Sequence, residues 1–238
     1  MLRRFTWTLL TRTAALLFAP IPKRSRFRVA VVMATVIAPI AGAWLQRRAG
    51  RPAWCSAPFD EAMRLVMRIL ADGGVTFDPR LVIDSTVALD RRALFVSGHF
   101  PILGFFLRYA YEQHVEPVVV KAFPDIDVFV WGTRDRFDSV DYSPAVLVKL
   151  HRRIEAGHPA VLLIDMDRGS TVPFESAYGN GYIATRVFEF AKRFDIPMFF
   201  LCVRCDRTGA PVIVIRPLPP EPGAFIANLT AQAALLRR

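Results

Sequence analysis

The sequence predicts an α/β fold, and three observations predict it. Short apolar runs, such as Leu94 to Val96 and Ala160 to Ile164, alternate with longer segments at helical spacing. Two of these runs lead into polar residues, His99 after the first and Asp165 and Asp167 after the second. That is where strands of open α/β sheets place chemistry. Glycines close helical segments at Gly73-Gly74 and at Gly157.

The first apolar stretch, Phe5 to Ala19, carries Arg12 at its centre. This breaks a signal-peptide core and suits a helix lying in a membrane interface. Val29 to Leu45 is an apolar run of 17 residues containing Pro39, the lower limit for a spanning helix. Lys23, Arg24, Arg26 and Arg28 precede it, and Arg47, Arg48 and Arg51 follow. Basic flanks on both sides give the positive-inside rule no orientation. An interfacial or re-entrant helix keeps both ends on one side. A buried helix of the globular domain and a single span are the alternatives. The chain divides on this reading into a basic, apolar, membrane-associating segment, 1–51, and an α/β domain, 52–238.

In the body, Phe59 to Asp72 places Met63, Val66, Met67 and Leu70 at helical spacings. Strands are expected at Leu81 to Ile83, Leu94 to Val96, Pro117 to Lys121, Ala160 to Ile164, Pro197 to Val203 and Pro211 to Ile215. Helices are expected at Pro101 to Gln113, Pro144 to Ala156 and Ile183 to Phe194. Asp125 to Ser143 reads as an irregular charged loop, Thr171-Val172-Pro173-Phe174 as a loop, Tyr178 to Tyr182 as a turn, and the chain after Arg216 as a Pro-rich tail.

The chain has 31 Lys and Arg against 21 Asp and Glu, a net charge of +10. Residues 1–51 hold ten of the basic residues and no acidic one, so the body is formally neutral. A nucleic-acid binder spreads basic residues over a folded face. Here they flank apolar stretches, which points to an anionic membrane surface as partner and not to nucleic acid. Three cysteines give no disulfide framework. Cys202 and Cys205 are three apart on an expected strand. Their thiols then face opposite sides, which argues against a shared metal ion and for core packing.

His99 is the candidate general base. Pro101 suits the first position of a helix, so His99 stands between a strand and a helix N-terminus, where the helix dipole favours neutral imidazole. Asp165 and Asp167 suit a cation, a basic residue or substrate hydroxyls, or a solvated turn. The scheme needs no metal and no cofactor.

In this order, these clusters resemble the bacterial late lipid A acyltransferases, relatives of the glycerolipid acyltransferases. The likeness covers roughly residues 60–220. It rests on Ser97-Gly98-His99, Lys149-Leu150, Ala156-Gly157, Val161 through Asp167, Thr171-Val172-Pro173-Phe174 and Ile196-Pro197. The resemblance implies a central mixed sheet flanked by helices and an N-terminal membrane-associated helical segment. It also implies a place at the cytoplasmic face of a bacterial inner membrane. The family signature is His-x-x-x-x-Asp/Glu, and here the acidic position is Gly104. A backbone carbonyl, Asp165 or Asp167 is left to orient His99. Gly104 makes room either for an acyl chain beside Phe100 and Phe105 or for close helix packing.

The leading expectation is acyl transfer from an acyl thioester to a hydroxyl or amine of a lipid-like acceptor. The donor is carried by acyl carrier protein or coenzyme A. His99 takes the acceptor's proton, and backbone N–H groups near Gly98 or the following helix stabilise the oxyanion. Arg134, Arg136, Asp165, Asp167 and Arg168 are the expected substrate-binding residues. A catalytically degenerate lipid- or partner-binding protein is the second reading. A peripheral membrane adaptor working through its basic N-terminus is the third.

Overall fold

The computed structural model describes residues 2–49, 57–85, 87–89, 92–121, 128, 130–133, 135–165, 169–177 and 179–236. It is α/β, with a mostly parallel central sheet flanked by helices on both faces. Helices α1 (Leu2–Phe18), α2 (Lys23–Ala49) and α3 (Pro58–Asp72) come first. Strands β1 (Val82–Ser85) and β2 (Leu94–Ser97), α4 (Gly104–Glu112), β3 (Val118–Lys121), β4 (Ser139–Asp141), α5 (Val146–Glu155) and β5 (Ala160–Leu163) follow. A hairpin of β6 (Thr171–Ser176) and β7 (Gly179–Ala184), then α6 (Arg186–Phe194), β8 (Met198–Cys205), β9 (Pro211–Pro217) and α7 (Pro222–Ala234) complete the chain.

The sheet order is β1-β9-β8-β2-β5-β3-β4. Strands β8, β2, β5, β3 and β4 run parallel; β9 is antiparallel to β8 and carries β1 beside it. The central β2 is buried along its whole length. A strand covered on both faces needs apolar side chains at every position, which Leu94-Phe95-Val96 provides. Alternate residues divide between two cores. Leu94, Val96, Leu162, Phe200 and Cys202 pack under α5, α6 and α7. Phe95, Val161, Leu201 and Cys205 pack under α3 and α4. The expected split of the two thiols is therefore realised.

Local signals account for the helix boundaries. Pro58 starts α3, Asp60 and Glu61 occupy its first turn, and Gly74 takes positive φ just beyond its end. Gly157 closes α5 with φ +88°. Asp195 ends α6 in the left-handed region, and the Ile196 N–H returns to the Ala191 carbonyl.

Several expectations change. The helix expected from Pro101 begins at Gly104; residues 101–103 form a turn in which the Phe105 N–H bonds to the Ile102 carbonyl. Thr171 to Phe174 is a strand, because Thr171 to Ser176 pairs with Gly179 to Ala184. The hairpin turns earlier than the Gly/Asn segment, and the following helix starts at Arg186. Within the expected loop 125–143, Ser139–Asp141 pairs with β3. The Pro-rich tail holds α7, whose Phe225 and Leu229 are buried against the sheet. Pro222 opens that helix, so proline marks a start there and not a tail.

Helices α1 and α2 pack on α3 and share the second core. Ala30, Ala34 and Ala38 form a buried seam, with Phe18 and Phe27 beside it. Small residues four apart let two helices approach closely. The outer side is also apolar: Leu16, Leu17, Val32, Val36 and Ile40 are exposed, Ile40 at 82%. No helix among the described residues is long and apolar enough to cross a membrane, which leaves the single-span alternative for Val29 to Leu45 without support. Beneath this layer, Asp60 and Glu61 are fully buried. Glu61 pairs with Arg64 at 2.9 Å. Neither Asp60 oxygen has a hydrogen bond of ordinary geometry, although the Cys205 N–H and thiol face them. Burial pushes the Asp60 carboxyl up to about 7, Cys205 and the more distant Arg204 pull it down, and Glu61 adds to the rise.

Candidate active site

Strands β2 and β5 are parallel neighbours in register, with Ser97 opposite Leu163. His99 and Asp165 each lie two residues beyond their strand's last residue. Equal overshoot from paired strands brings the two side chains together at the carboxyl end of the sheet. The Ile164 N–H extends the pairing to the Ser97 carbonyl at 3.0 Å. The Ser97 hydroxyl, buried, donates to the Leu201 carbonyl at 2.7 Å and ties β2 to β8. The platform under His99 is thus fixed from both sides.

Asp165 binds His99 through both oxygens. Oδ2 accepts the His99 backbone N–H at 2.9 Å, and Oδ1 lies 2.5 Å from Nδ1. The Asp165 side chain is fully buried, while that of His99 is 31% exposed. The backbone contact fixes the carboxylate, and the carboxylate then fixes the ring. With the proton on Nδ1, donated to Asp165, the lone pair lies on Nε2 across the ring. A buried carboxylate at this nitrogen also stabilises the imidazolium that forms when Nε2 takes a proton.

The helix-terminus argument for His99 gives way to this contact. Helix α4 starts at Gly104, five residues on, and the adjacent group is the Asp165 carboxylate. The expected oxyanion donors also change. The His99 N–H is engaged by Asp165, and the Phe100 N–H donates to the Gly98 carbonyl at 2.7 Å.

Asp165 was expected at the substrate; the structure makes it the partner of His99, one of the three orienting groups the sequence left open. Arg136 is exposed on the segment leading to β4. Arg134, Asp167 and Arg168 lie outside the described residues. Phe100, Gly104 and Phe105 do not line one space. Phe100 belongs to the core under α5 to α7 and Phe105 to the core under α3 and α4. Above Gly104 lies the Trp131 indole, whose Cε2 would stand 2.5 Å from a Cβ at this position. Trp131 also meets the Phe105 ring edge-on, centroids 4.9 Å apart. Close packing, and not an acyl chain, accounts for this glycine.

Sequence reasoning missed Trp131, which lies in a segment read as irregular. It also missed a cavity of about 140 Å³ beside the β5 terminus, lined among others by Ser143, Ile164, Ala184 and Arg186. Its walls come from four separate stretches of chain, so no local pattern announces it. Among the described residues, no group of three or more His, Cys, Asp or Glu is placed to hold a metal ion.

Fold and site together define an α/β protein with a His–Asp pair at the carboxyl ends of two adjacent parallel strands. Comparison with models of known families finds no match, and no curated protein matches the chain.

Proposed function

We propose that this protein is a membrane-associated acyltransferase of the glycerolipid type, working at the cytoplasmic face of a bacterial inner membrane. One observation carries the reading: a part-exposed histidine held through Nδ1 and its own backbone N–H by a fully buried carboxylate. This is the arrangement of a general base whose tautomer is set. It meets the main objection from the sequence, because Asp165 does from β5 what an acid at position 104 would do from the helix. The pairing favours turnover over the degenerate lipid-binding alternative.

In the reaction, His99 Nε2 takes the proton of an acceptor hydroxyl or amine as the oxygen or nitrogen attacks the thioester carbonyl. The tetrahedral intermediate collapses with cleavage of the C–S bond. The imidazolium returns its proton to the departing thiolate of acyl carrier protein or coenzyme A, which leaves as the thiol, and an ester or amide remains. The exposed apolar faces of α1 and α2, with Arg12, Lys23, Arg24 and Arg28 on the same helices, support attachment to anionic lipid and a lipid-like acceptor.

The test is thiol release from acyl thioesters in the presence of membrane lipid, with wild type and His99→Ala. The expected loss is 10²–10⁴-fold with the fold retained, since His99 sits at a part-exposed strand exit. Equal rates for the two proteins would remove the mechanism.

A further inference from the structure

We propose that two copies of this chain associate edge to edge through β1, by antiparallel pairing about a two-fold axis at Val82. β9 and β8 stand between β1 and β2 in the sheet, so the inference is independent of the acyl-transfer reading. The central sheet has two edges, β1 and β4. An edge strand offers unpaired N–H and C=O groups, and short or charged edges are the usual protection against pairing with another chain. β4 has only three residues, Ser139–Asp141. β1 instead exposes two adjacent β-branched apolar residues, Val82 and Ile83.

The backbone at this edge is oriented to pair. One nitrogen of Arg216, Nη1, donates to the Asp84 carbonyl at 2.7 Å and to the Ile215 carbonyl at 3.1 Å. A single nitrogen reaches both only if the two carbonyls lie between β1 and β9. Backbone groups alternate sides along a strand. Asp84 and Val82 therefore direct theirs at β9, and Leu81 and Ile83 direct theirs at the open edge.

The residues along the edge are complementary to themselves. A two-fold contact requires that residue i meet j where j meets i. Antiparallel pairing centred on Val82 sets Leu81 against the partner's Ile83, and these residues exchange hydrogen bonds through their outward N–H and C=O groups. On the opposite face Val82 meets the partner's Val82, and Arg80 meets the partner's Asp84. Arg80 and Asp84 are both exposed. Asp84 Oδ1 already accepts Arg216 Nη2 at 2.6 Å, and a carboxylate has a second oxygen for the partner's Arg80. A register shifted by one residue opposes outward groups with inward ones. A shift of two sets Asp84 against the partner's Val82, or against the partner's Asp78, and loses the charge match.

The experiment is sedimentation velocity of the full chain in detergent over a concentration series, with disulfide trapping alongside. The wild type is expected to show a monomer–dimer equilibrium. Arg80→Asp should raise the dissociation constant about tenfold, because both symmetry-related pairs become like-charged. Trapping uses a Cys55→Ser background, whose remaining native thiols, Cys202 and Cys205, are buried. There Val82→Cys should cross-link to its own copy under mild oxidation. Facing residues at such a position stand about 4.5 Å apart at Cα, within disulfide reach. Asp84→Cys should not cross-link, since its copy lies four residues along the strand, about 14 Å away. A monomer at every concentration overturns the proposal. So does a dimer that Arg80→Asp leaves unchanged, or one that Val82→Cys traps no better than Asp84→Cys; such a dimer forms through another face.

Discussion

Asp165→Asn turns an acceptor into a donor at the one place where the site needs two acceptors. In the native pair Oδ2 takes the His99 backbone N–H at 2.9 Å and Oδ1 faces Nδ1 at 2.5 Å. An amide keeps a single acceptor oxygen. If that oxygen stays on the backbone N–H, the amide NH₂ faces Nδ1, which must then hold the lone pair. The ring proton moves to Nε2, the atom that receives the acceptor's proton in the proposed reaction. Turning the amide over sets NH₂ against the backbone N–H and strands a buried donor, at a cost of about 1–3 kcal/mol. The first arrangement keeps both contacts and leaves only the second amide N–H unpaired, so it wins. Stability should fall by about 1–3 kcal/mol, since the second amide N–H is buried without a partner. Turnover should fall by about 10⁴, as for the same substitution in a Ser-His-Asp triad. Thiol-release kinetics read the rate, and ¹⁵N NMR of the His99 ring reads the tautomer without reference to activity. An Asp165→Asn protein that keeps the Nδ1–H tautomer, or keeps wild-type turnover with the Nε2–H form, would refute the reasoning.

Gly104→Ala should destabilise the protein by about 1–3 kcal/mol, because its Cβ meets the Trp131 indole at 2.5 Å; a changed Trp fluorescence with an unchanged unfolding midpoint would count against this. Gly104→Glu should lower stability further and raise no activity, since the indole fills the space a side chain would need and, in the proposed reaction, Asp165 is the acid that orients His99. Asp60→Asn should become progressively more stable than wild type as pH rises from about 4 to about 7. The raised carboxyl pKa of about 7 favours the folded state only while Asp60 is protonated. The full difference, up to about 4 kcal/mol, is reached above pH 7, and urea titrations giving the same difference at pH 5 and pH 8 would contradict it. Leu16→Glu with Val36→Glu should abolish flotation on anionic vesicles while leaving the unfolding midpoint nearly unchanged, because both residues are exposed; undiminished flotation would place the lipid contact elsewhere.

Apolar runs, terminal glycines and the uneven charge are local properties, and the sequence determined by itself what depends on them. The α/β class, the strands through Leu94 to Val96 and Ala160 to Ile164, and the ends of α3 and α5 at Gly73-Gly74 and Gly157 were all legible. So was the opposition of Cys202 and Cys205, because a strand's period of two requires it. His99 stood out for the same reason, as a base at the exit of a buried strand. What depends on residues far apart in the chain was decided by the tertiary structure. Asp165 lies 66 positions from His99, and only the registered pairing of β2 with β5 selects it from the orienting groups the sequence left open. Trp131 over Gly104 and the cavity beside Ile164 join segments that no periodicity links. The start of α4 at Gly104, in place of Pro101, likewise reflects the turn that carries the chain out of the sheet beside Asp165. Proline favours a helix start, but its propensity is weaker than the contacts that fix this turn.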